Sequence, residues 1–185
     1  MLPLPIFAFA LSAVACALVW RLDIGNSRAR GFFTAACAVI ALGALLTGMR
    51  FGYGLEQIIA IQRTAPILKG PLIYLGFAAL TRPAISFRHL AALHLSITGL
   101  AALLPQLIPQ LRPGLDLLIV LSDLTYASLL LWLWRQGSDR LIYASLEAVR
   151  GLWHWMLGSA AILAVSLVFN TWIAISLPCS AQTTR

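Results

Sequence analysis

QIIAIQRTAPILKGPLIYLGFAALT, residues 57–81, is the stretch on which the fold turns. It is mostly apolar and long enough to cross a bilayer, whose core of about 30 Å takes roughly 20 residues of helix. Yet it holds Arg63, Lys69, Pro66 and Pro71, and its uncharged part, residues 70–81, is too short to span alone. The stretch therefore reads either as one kinked, polar-faced span or as a re-entrant element.

Charged residues mark the other breaks. Residues 3–20 carry no charge, 31–49 lie between Arg30 and Arg50, and 89–111 lie between Arg88 and Arg112. Residues 115–134 contain Asp116 and Asp123 as their only charges, and 152–177 are uncharged, with Trp153, Trp155 and Trp172 near the ends as an aromatic belt predicts. Loop charges favour the reading in which 57–81 crosses. The connections after spans one, three and five hold Arg21, Arg28, Arg30, Arg82, Arg88, Arg135, Arg140 and Arg150, whereas the other side has only Arg50, Arg112 and Arg185. The positive-inside rule then puts the N-terminus outside, and this bias disappears if 57–81 does not cross. The expected fold is an all-α polytopic transmembrane bundle of about six spans (3–20, 31–49, 57–81, 89–111, 115–134 and 152–177), forming one domain with a short polar tail at 179–185.

Composition excludes the alternatives. The 185 residues are 61% hydrophobic and 10% charged, against averages of roughly 45–50% and about 25%, and mean hydropathy is +0.89. A water-soluble globule of this size has too little interior to hide so much apolar side chain. A soluble enzyme, a disordered tail and a disulfide scaffold are excluded. The net charge of +7 reads as topology and attraction to anionic lipid, not as nucleic-acid binding. No basic residue precedes the first apolar run, so Ala13-Val14-Ala15-Cys16 is read as part of a span and not as a cleavage box. Cys16, Cys37 and Cys179 have no metal-type spacing. Residues 135–150, with Leu141, Ile142, Ala144, Leu146 and Val149 able to share a face, read as an interfacial amphipathic helix or as a plain extension of span six.

Ionisable side chains inside a span cost about 2.5–3.5 kcal/mol each on insertion scales, and usually face the bundle interior. At ~1.5 Å per residue, Arg63 lies roughly 9 Å deep, Asp123 about 12 Å and Lys69 about 18 Å. Either cation can therefore pair with Asp123 by snorkelling. Such a pair is either a lock between two helices or part of a polar cavity that receives a ligand from the outer side. Glu56 falls at the outer mouth. His89, His94 and His154 fall toward the cytoplasmic ends of spans four and six, but no second pair exists to hold a haem. Pro66, Pro71, Pro105 and Pro109 kink helices and free carbonyls, while Gly43, Gly76 and Gly99 permit close helix approach. H-E-x-x-H, G-x-S-x-G, P-loop and G-x-G-x-x-G patterns are missing from the sequence. Asp123 has no intramembrane carboxylate partner. Neither catalysis nor a cofactor nor a metal is expected.

The run Gly48-Met49-Arg50-Phe51-Gly52-Tyr53-Gly54-Leu55 resembles the signature that closes the second span of a bacterial family, the AraC-type transcription regulators with an N-terminal seven-helix membrane region. Gln62, Pro66 and Pro71, then Leu75-Gly76-Phe77 and Leu80-Thr81-Arg82-Pro83, are similar to that family's third span. Ala164 to Ala174 are similar to its sixth, where an aspartate is more usual at Asn170. The resemblance implies a sensor domain in the bacterial inner membrane that signals to a cytoplasmic DNA-binding part. The chain ends at Arg185 without a seventh span or helix-turn-helix units, so a truncated or stand-alone sensor that binds no nucleic acid itself is expected. Its candidate site comprises Arg50, Tyr53, Glu56, Arg63, Lys69 and Asp123, suited to a small polar or anionic ligand. Other partners are the lipid bilayer and a second copy or another membrane protein. A small transporter or channel subunit, or a non-catalytic accessory subunit of a membrane complex, is the alternative.

Overall fold

A computed structural model describes residues 4–55 and 59–181. Its order is α1 (Leu4–Arg21), α2 (Ser27–Tyr53), α3 (Ile59–Thr81), α4 (Ala84–Leu107), α5 (Leu115–Arg135) and α6 (Leu146–Ala181), with single 3-10 segments at Pro109–Gly114 and Ser138–Arg140. There is no strand among the described residues. Five of the helices, α2 to α6, are long and apolar enough to cross a membrane, and α1 is a shorter apolar helix. Outward faces carry large apolar side chains, among them Leu93, Ile97, Leu100, Val165 and Phe169, more than half exposed. Such faces suit a bilayer, where lipid takes the place of a protein interior.

Helix ends follow local chemistry more closely than they follow the charges. Asn26 caps α2 by accepting the Arg28 N–H, and Gly54, in the left-handed region at φ 68°, closes its C-terminus. The helix therefore runs well past the expected 31–49. Pro83 starts α4 directly after α3, taking in Arg88 and His89, and α4 stops before Pro109 rather than at residue 111. α6 runs through the first residues of the expected tail to Ala181; residues 182–185 lie outside the described residues.

Residues 59–81 form one helix, and it is the central one. In its window Thr64–Thr81, 67% of residues are buried, against 17–33% for the other four spans. Tyr74, Leu75, Phe77, Ala78 and Leu80 make the core that α2, α4, α5 and α6 cover. Phe33 of α2 packs edge-on against Phe77 at 4.8 Å, and Trp134 of α5 stacks on Trp153 of α6 at 5.1 Å. This central position keeps Lys69 among protein neighbours and away from lipid. Pro71 withholds an N–H from the carbonyl of Ile67, and the hydroxyl of Ser122 on α5 supplies the missing bond at 3.3 Å.

The connections after α1, α3 and α5 meet at one end of the bundle. Asn26 Nδ2 donates to the Ala79 carbonyl at 2.9 Å, Tyr143 N–H to Leu80 at 3.0 Å, and Ser145 N–H to Ile24 at 3.2 Å. Gly25 sits at φ 80°, and a Cβ there would stand 2.5 Å from the Ser145 nitrogen. This knot replaces the expected amphipathic helix at 135–150. Ser138–Arg140 form one 3-10 turn, Leu141 is buried in the core, and helix resumes only at Leu146, so 146–150 extend span six. The backbone N–H groups of Tyr143 and Ser145 are drawn to carbonyls of other connections, which leaves no helical ladder there to form.

Candidate functional site

Asp123 lies on the face of α5 turned toward α3 and α6, and its side chain is 0% exposed. Its Oδ2 atom receives Lys69 Nζ of α3 at 3.1 Å, Ser166 Oγ of α6 at 2.9 Å and Asn170 Nδ2 of α6 at 3.1 Å. Lys69 Nζ also donates to Ser166 Oγ, and Asn170 Nδ2 reaches Ser166 Oγ at 3.2 Å. Ser166 and Asn170 are four residues apart, so one face of α6 presents both. Three helices thus converge on a single carboxylate oxygen. The other oxygen, Oδ1, is buried without a hydrogen-bond partner among the described residues.

Contacts on either side bring Lys69 level with Asp123: Ser122 of α5 bonds the Ile67 carbonyl of α3, and Gly70 lies against the Tyr126 side chain.

A second polar group begins one turn further along α5. Tyr126 Oη and His94 Nδ1 of α4 share a hydrogen bond of 2.9 Å, and the Tyr74 ring of α3 lies 5.2 Å from His94 and 5.9 Å from Tyr126. Thr98, one turn beyond His94, is buried as well. His154 Nδ1 pairs with the Arg150 carbonyl at 2.7 Å. Among the described residues no three His, Cys, Asp or Glu side chains gather into a metal site.

A cavity of about 240 Å³ opens between α2 and α3, lined by Val39, Ile40, Gly43, Thr47, Gln62, Ala65, Pro66 and Lys69. Lys69 therefore belongs both to this cavity and to the Asp123 cluster. Gln62 Nε2 donates to Thr47 Oγ1 at 3.0 Å, whereas Gln62 Oε1 is buried with no partner among the described residues.

Of the six residues expected to make the site, the structure brings Lys69 and Asp123 together. Arg50 and Tyr53 are not part of that cluster: they end α2, with the Arg50 guanidinium 5.1 Å from the Phe51 ring and Tyr53 exposed. Glu56 lies outside the described residues, and so does the side chain of Arg63, which stands on the first turns of α3. Ser166 and Thr47 went unnoticed as site residues in the sequence because hydroxyls on a span carry no charge to flag them. Asn170 and Gln62 were visible only as parts of the resemblance. The available signal was spacing: Ser166 and Asn170 are a polar i, i+4 pair in the mostly apolar middle of α6.

In comparisons with protein-family models, curated proteins and solved structures, nothing matches the chain.

Proposed function

We propose that this chain is a membrane-embedded sensor or regulatory domain of the kind found in AraC-type transcription regulators. In this reading it is a multi-pass protein of a bacterial inner membrane with its N-terminus outside. The observation that carries the proposal is the convergence of α3, α5 and α6 on fully buried Asp123 through Lys69, Ser166 and Asn170. A charge pair inside a span is a functional feature by default because it is expensive to insert. Here it ties together three helices whose relative positions a ligand at Lys69 would bias. The loop charges put the α2–α3 cavity on the outer half of the bundle, so a small polar or anionic ligand would enter from outside. The knot of connections at the opposite end offers a second copy or another membrane protein a surface through which the signal passes.

The test is genetic. The gene is deleted and restored with the wild-type chain or with Asp123→Asn, each checked for equal amounts in the membrane, and transcripts are compared. A regulatory role predicts a discrete set of transcripts that wild type restores and Asp123→Asn does not. Transcripts indifferent to both deletion and substitution overturn the proposal.

A further inference from the structure

We propose that a second cavity, bounded by α1, α2, α3 and α6 beside the knot of connections, takes up one hydrocarbon tail of an anionic phospholipid from the leaflet on that side. This goes beyond the regulatory reading and does not depend on it.

The cavity measures about 410 Å³. Phe33 of α2 and Phe77 of α3 line it, as does α6 from Ala148 to Ser159. α2 and α6 both contribute to the wall yet make little direct contact with each other. The cavity is therefore open sideways: Leu22, Ile40 and Trp155 are part of its wall and are also exposed on the outside of the bundle.

Water does not suit this space. At ~30 Å³ per molecule about fourteen waters would fill it, and each buried water needs roughly two to four polar partners. The wall brings polar side-chain atoms only at Asp23, Cys37, Trp155 and Ser159. An apolar cavity of about 150 Å³ inside a soluble protein stays dry and takes benzene. The present one is more than twice as large, and left empty its lining would forfeit dispersion contacts. Hydrocarbon tails are the apolar solvent that reaches its open side.

Length selects the occupant. From Ala148 to Ser159, α6 rises about 16 Å at ~1.5 Å per residue. One leaflet's share of a hydrocarbon core of about 30 Å is roughly 15 Å. The cavity begins at the connections, where exposed Asp23 marks the level of the headgroups, and runs inward by the length of one leaflet. No side chain of a second copy reaches that far.

Charge selects the headgroup. Arg30 stands one turn before Phe33 on the same face of α2, with its guanidinium 5.4 Å from the Trp20 ring. Arg21 and Arg28 flank the same connection. Asp23 Oδ1 accepts the Gly25 N–H at 3.0 Å, and the three cations outweigh its charge. A headgroup of net negative charge complements this mouth.

The experiment is native mass spectrometry of the full chain released from nanodiscs that hold equal amounts of phosphatidylglycerol and phosphatidylcholine with the same palmitoyl and oleoyl chains. Wild type should retain one phospholipid, phosphatidylglycerol over phosphatidylcholine by about fivefold or more, the effect of one basic residue near the surface. Gly151 lies in the wall, and a Cβ there meets nothing within 4 Å, so Gly151→Leu fills space without a clash and favours the helix. It should lower the retained fraction about tenfold. Gly99→Leu, placed in equally open space on α4, should change nothing. Arg30→Gln should keep the lipid and lose most of the headgroup preference. Wild type that retains no lipid, Gly151→Leu that retains as much as wild type, loss of lipid in Gly99→Leu as well, or equal retention of the two headgroups each overturns the inference. All of these results leave the regulatory proposal to the transcript experiment.

Discussion

Replacing Lys69 with methionine isolates the buried charge. The Met side chain keeps the length and apolar stem of Lys, so packing around α3 changes little. The ammonium 3.1 Å from Asp123 Oδ2 disappears, and a carboxylate of zero exposure is left with Ser166 and Asn170 as its only described partners. Removing one partner of a buried pair costs about 3–5 kcal/mol in soluble proteins. Interhelical polar contacts in membranes are worth less, up to about 1.7 kcal/mol, because the unfolded chain in lipid also finds partners. With two hydrogen bonds retained, Lys69→Met should destabilise by about 2–3 kcal/mol. Asp123→Asn should cost less, about 1 kcal/mol. Its stranded cation is 18% exposed, still bonded to Ser166 and able to snorkel, which the aspartate is not. The double variant removes both charges and should fall short of the sum by about 1–2 kcal/mol. The assay is unfolding of the full chain by SDS in mixed micelles, followed by circular dichroism. A Lys69→Met variant no less stable than Asp123→Asn, or strict additivity in the double variant, refutes the reasoning.

Two further expectations concern the fold that holds the site. Ser122→Ala removes the hydroxyl that satisfies the Ile67 carbonyl left open by Pro71 and should cost about 1 kcal/mol in the same titration; no change would mean that the carbonyl finds another donor. Gly25→Ala forces a side chain into φ 80° with the Ser145 nitrogen 2.5 Å away and should cost about 1–3 kcal/mol. It should also open the connection at 136–145 to added protease, and a connection as resistant as in wild type argues against the knot.

Much of the architecture was legible from residues. Charge-free stretches marked the spans, and the Arg asymmetry favoured a crossing at 57–81, within which Ile59–Thr81 form one continuous helix. Boundaries were less legible because the charges that delimit a span are not what ends a helix. Asn26, Gly54 and Pro83 do that through local backbone chemistry, and they extend α2 and α4 beyond the apolar core. The expected amphipathic helix at 135–150 failed for a different reason. Its apolar spacing suited a helix, but hydrogen bonds to Leu80 and Ile24, remote in sequence, claimed its backbone.

The site shows the same division. Depth along α3 and α5 placed Asp123 within reach of both Arg63 and Lys69, and it grouped Arg50 and Tyr53 with them by their place near the outer ends. By itself the sequence determined that the chain is a bundle of apolar helices and that an aspartate and two basic residues lie within its spans, because hydropathy and charge are properties of the residues alone. Only the tertiary structure decided that Lys69 meets Asp123 and that Ser166 and Asn170 complete the cluster. Those contacts depend on how helices rotate and lean against one another, and in lipid, where every outward face is equally apolar, the order of residues within one helix leaves that rotation open.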